Sequence, residues 1–146
     1  MRYLASVAAL LVAVGSSVAA DKPYPIFTPE NLFTTMKLVG RNFAGVNASL
    51  AKSDFETAKA QLTRSRELLA VTITFWRDRQ KDDAIKVLKD AVTKMDALDA
   101  ALSAEKIDSA AAAAVAKQIG ADCQTCHSSY REQDPATKAF RLKGVQ

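Results

Sequence analysis

The chain has 146 residues, of which 49% are hydrophobic, and a formal net charge of +4 at pH 7. That length suffices for one domain with a real core. The charge is modest, and no basic stripe interleaves with aromatics, which argues against nucleic acid as a partner.

Residues 1–20 read as a secretory signal peptide. Arg2 supplies the positive start, and the apolar run Leu4 to Val14 is too short to span a bilayer. Ser17-Val18-Ala19-Ala20 offers small residues for cleavage, expected after Ala20. The expectation is a periplasmic protein with no stable membrane insertion after cleavage, whose single domain is residues 21–146.

Pro23 and Pro25 make residues 21–27 an extended lead-in. Thr28-Pro29-Glu30 then starts a helix, with Thr as N-cap, Pro in the first turn and an acid beside it. Leu32, Met36, Val39, Phe43, Val46 and Leu50 recur at spacings of four and three, a continuous apolar stripe. Ser53-Asp54-Phe55-Glu56 has the form of a capping box with Ser53 as N-cap. The second helix is expected to run to about Asp78 on a stripe that includes Leu62, Ser65, Leu69, Ile73 and Trp76. Trp76 is read as a core residue at the bundle end. Asp82 is the expected N-cap of a third helix, with Ile85, Leu88, Val92, Met95, Leu98 and Leu102 as its stripe.

Asp108 is the expected cap of the fourth helix, and Pro135 its stop. Its stripe is Ala112, Val115, Ile119, Cys123, Cys126 and Tyr130. Gly120 inside it costs about 1 kcal/mol against Ala, so it calls for close approach of a planar group or a facing helix. Residues 136–146 are expected to add at most one helical turn. No strand pattern is evident. The expected fold is all-α, an antiparallel up-down-up-down four-helix bundle.

The chemistry gathers in Cys123-Gln124-Thr125-Cys126-His127, which contains both cysteines and the only histidine. Positions i, i+3 and i+4 share one helix face. The spacing is the C-x-x-C-H of covalent haem attachment: two thioethers fix one haem c, and His127 ligates the iron from the proximal side. A redox dithiol would want a βαβ context. A closed zinc site wants four ligands. A disulfide across two helical residues has poor geometry.

With no second His, the other axial position falls to Met36, Met95 or nothing. In an antiparallel bundle, the start of the first helix meets the end of the fourth. Met95 lies about 15 Å along the third helix, so Met36 is preferred. Arg131, four residues after His127, and Arg41 are candidates to pair with a propionate or bound anion.

These features resemble the class II cytochromes c, which include cytochrome c prime, over essentially the whole mature chain. Ser128-Ser129-Tyr130-Arg131 is similar to the aromatic and basic residues that follow the family's motif. Met36-Lys37-Leu38-Val39-Gly40-Arg41-Asn42 resembles the low-spin branch, in which a Met at this position binds the iron. The turn between the second and third helices is shorter than in many relatives, and the tail after Pro135 is an extension. The resemblance implies an electron carrier, not an enzyme, that serves redox partner proteins in the periplasm. The alternative is a five-coordinate protein that binds nitric oxide or carbon monoxide, if Met36 points away from the metal. A homodimer through the first two helices stays open.

Overall fold

The computed structural model describes residues 28–145, so the expected signal peptide of residues 1–20 and the expected lead-in of residues 21–27 lie outside the described residues. The described residues are mostly helical, with one small two-stranded sheet. Helix α1 spans Pro29–Leu50, α2 Phe55–Val71, α3 Ile73–Asp78, α4 Asp82–Leu102 and α5 Ser109–Tyr130. Strands β1, Arg131–Gln133, and β2, Phe140–Leu142, follow. No helix among the described residues is long and apolar enough to cross a membrane.

Local chemistry sets most of the helix ends. Thr28 accepts the Asn31 N–H at 3.2 Å with Pro29 behind it, and Asp108 accepts from Ala110 and Ala111. Two caps differ from the expectation by one residue. Asp54, not Ser53, caps α2 by accepting the Thr57 N–H at 3.2 Å, while Ser53 turns the chain at φ 58°. A carboxylate is the stronger acceptor, and the left-handed Ser53 leaves it next in line. Lys81 holds the N-cap position of α4 without a side-chain bond, and Asp82 lies in the first turn. There its charge still complements the exposed N–H groups.

The second expected helix is interrupted at Thr72. The Leu69 carbonyl accepts both the Thr72 N–H, at 3.1 Å, and the Thr72 Oγ1 hydroxyl, at 2.7 Å. That tight turn breaks the regular ladder. It shifts the phase of the following residues, so that Phe75 and Trp76 are buried while Ile73 is only half-buried.

The helices pack α1 on α2 and α4 on α5, joined chiefly through α2 and α4. Leu32, Val39 and Val46 enter the core from α1, Leu62 and Leu69 from α2, Met95 and Leu98 from α4, and Ile119 from α5. Fully buried Ser65 donates its hydroxyl to the Val39 carbonyl at 3.2 Å, which ties α2 to α1. Lys94 on α4 donates to Asp122 on α5 at 2.7 Å.

The tail corrects the expected helical turn. Helix α5 ends at Tyr130, before Pro135, because Arg131 is extended at φ −123°, ψ 130°. Strands β1 and β2 pair antiparallel with Arg131 opposite Leu142 and Gln133 opposite Phe140. Asp134 Oδ1 accepts from the Ala136 and Thr137 N–H groups and shapes the turn. Arg141 pairs with Glu132 at 2.8 Å, and the Lys143 N–H donates to the Tyr130 carbonyl at 3.0 Å. The hairpin is thus stitched to the end of α5.

Candidate functional site

The stripe of α1 is not buried evenly. Leu32, Val39 and Val46 are buried, whereas Met36 and Phe43, between them, are only half-buried. On α5, Cys126 is buried, but Cys123 and His127 are half-buried. Helices α1 and α5 touch only sparingly. Two adjoining cavities lie where these residues meet, of about 340 Å³ and 240 Å³. Both far exceed the water-sized voids of a packed core and approach or enter the range of cofactor sites.

Met36, Gly40, Cys126 and His127 line both cavities. Cys123 lines the smaller one, with Phe43, Leu69, Leu88 and Ala91 as its apolar walls. Trp76, Tyr130, Phe140 and Leu142 wall the larger one, along with Lys37, Arg41 and Arg131. The fold therefore brings together all four residues singled out for a metal centre: Cys123, Cys126, His127 and Met36. Arg131 and Arg41 share the larger cavity. Met95 is fully buried in the core and lines neither cavity.

Burial, and secondarily the Asp122 charge, pushes the Cys123 thiol up. Burial, followed by Cys123 and Asp83, pushes Cys126 up to about 11. Both sulfurs are therefore protonated at neutral pH and weak as nucleophiles. At about pH 8 only about one Cys126 in a thousand is ionised. Folded protein with free thiols should accordingly react slowly with iodoacetamide there and rapidly once unfolded, as mass spectrometry would read. The folded value also lies above the ordinary 9.0. The resulting stability is present below pH 9 and is lost as pH rises toward the folded value.

Burial, then the Arg131 charge, lowers the His127 pKa. The imidazole is therefore neutral at pH 7, which leaves one ring nitrogen with a free lone pair. Its ring nitrogens have no hydrogen-bond partner among the described residues. Beside it, Tyr130 donates its hydroxyl to Asp83 at 2.6 Å and lays its ring 4.7 Å from that of Trp76. Burial and the Asp83 bond raise the Tyr130 pKa to about 12.

No protein-family model, curated protein or solved structure matches this chain.

No group of three or more His, Cys, Asp and Glu side chains gathers among the described residues to hold a bare metal ion. The side chains available there to hold a larger cofactor are the His127 imidazole and the Cys123 and Cys126 thiols, among apolar walls. Gly40 lines both cavities, and a Cβ built on it meets no atom within 4 Å. Gly120 corrects an expectation. It lines neither cavity, and a Cβ built on it meets no atom within 4 Å, so close approach of a facing helix does not account for it. Gly40, Trp76, Phe140 and Leu142 were not readable as site residues. Only the spacing of Gly40 one turn after Met36 pointed toward the site.

Proposed function

We propose that this chain is an exported, periplasmic c-type cytochrome similar to the class II cytochromes c, which carries single electrons and catalyses no reaction. Its helices, with α2 and α3 counted as one, would form an antiparallel up-down-up-down four-helix bundle, as the short connections and the packing pairs suggest. Cys123 and Cys126 would hold one haem c through thioether bonds, His127 would ligate the iron with its neutral imidazole, and Met36 would offer its thioether from α1. When bound, the haem supplies the one-electron chemistry. The apolar side chains of α1, α2 and α4 keep water from that centre, and a rigid helical wall limits rearrangement between oxidation states.

The observation that carries this reading is the meeting of Met36 with Cys126 and His127 along both cavities. They come from opposite ends of the described chain, and an ordinary core has no use for a space there. The test is the absorption spectrum and pyridine haemochrome of protein matured by export. One covalently held haem per chain, reversibly reduced, is expected. Colourless protein after competent export would overturn the proposal.

A further inference from the structure

Asp122 directly precedes Cys123 and lines the smaller cavity. It is the one carboxylate on that wall, which includes no Lys or Arg among the described residues. Apolar side chains of α1, α2 and α4 make up most of the rest. A charge there is felt strongly, because few polar groups stand by to screen it.

Lys94 on α4 answers that charge from outside. Its ammonium donates to both carboxylate oxygens, at 2.7 Å and 2.5 Å, yet Lys94 does not line the cavity. The Lys94 and Asp122 side chains are 32% and 17% exposed, whereas both partners of Arg66–Asp96 and of Arg141–Glu132 are at least 39% exposed. A surface pair contributes little. A sheltered pair matters more, because loss of one member strands the charge of the other. Here the stranded charge would be the carboxylate at the cavity wall.

We infer that Lys94 is a positioning residue that raises the reduction potential of the centre, by keeping the Asp122 carboxylate neutralised at the cavity wall. The inference rests on the haem reading above and adds a pair of residues that tunes it. Ferric iron carries one more positive charge than ferrous iron, so an uncompensated carboxylate nearby favours the ferric form. With Lys94 in place the apolar wall dominates, and the ferrous form gains.

The test is the midpoint potential of the full-length, haem-loaded protein at about pH 7. Lys94→Met, which keeps the stem and removes the charge, should favour the ferric form about tenfold, a fall of about 59 mV. Lys94→Arg should keep the wild-type potential, and Lys94→Met combined with Asp122→Asn should return close to it. A merely structural tie between α4 and α5 would instead lower thermal stability in both Lys94→Met proteins and leave the potential where it was. A second readout needs no haem. The Asp122 charge opposes ionisation of the Cys123 thiol, so in Cys126→Ala protein Lys94→Met should slow alkylation of Cys123 by iodoacetamide severalfold, and Asp122→Asn should reverse that. If circular dichroism shows that Lys94→Met does not fold, Lys94→Gln gives the same comparisons. An unchanged potential or alkylation rate in the single variant, or equal changes in the double variant, would overturn the role of Lys94 and leave the haem reading standing. Absence of covalent haem from the wild-type protein after export would overturn the two together.

Discussion

Met36→Ala should convert a low-spin, six-coordinate spectrum into a high-spin, five-coordinate one. The far-red band of sulfur-to-iron ligation should disappear, the sharp reduced bands should broaden, and carbon monoxide should bind readily. The haem itself should stay attached, because its proposed anchors, Cys123 and Cys126, lie on α5. Met36 is only half-buried, so truncation should cost less than about 2 kcal/mol of stability. The reduction potential should fall as well, since thioether ligation favours ferrous iron. Absorption spectroscopy and a carbon monoxide titration check each part. An unchanged spectrum would mean that the thioether never reached the metal, and the gas-binding reading would replace the electron carrier. The same cavities would then serve as the apolar pocket for the gas.

The second large effect is expected at the attachment cysteines. Cys123→Ala together with Cys126→Ala should abolish covalent haem, so that acidified acetone extracts all colour and haem staining vanishes from denaturing gels. Each single variant should keep one thioether and show a red-shifted pyridine haemochrome, as expected when one vinyl group stays unreacted. The double variant should remain folded. Cys126 fills a core position and Cys123 a cavity wall, and both are small side chains. Loss of colour with retained helical signal therefore reads attachment and not folding. Retention of covalent haem in the double variant would exclude these sulfurs as the anchors.

Much of this was legible in the residues. Thr28-Pro29 and Asp108 announced two helix starts because a side-chain oxygen beside an apolar run satisfies otherwise unpaired N–H groups. The stripe of α1 was visible as spacing. Its uneven burial was not, since Met36 and Phe43 differ from Leu32 and Val46 only in what faces them. The Ser53 capping box misled because Asp54, one residue later, offers a better acceptor. The break at Thr72 was hidden, since one hydroxyl bonded back to Leu69 shifts the phase of Phe75 and Trp76. The hairpin was missed because its strands are three residues each, with no β-branched alternation. Asp134-Pro135 was a turn signal, but Lys138 takes a positive φ that its side chain does not advertise. The Cys123-Gln124-Thr125-Cys126-His127 spacing needed no fold to be noticed. Its surroundings did, because Trp76, Phe140 and Leu142 reach it only through tertiary placement.

The cavity is bounded by residues 32–41 at one end of the described chain and 126–142 at the other. Helices α1 with α2, and α4 with α5, are neighbours in sequence and need only short loops to meet. Closure of a span near the full chain length carries a greater entropic cost than either local pairing. The α1–α5 contact is therefore the costliest closure in chain entropy, whereas α2 and α4 meet across a short connection. A bulky planar cofactor attached after export would find its widest entry before that contact closes.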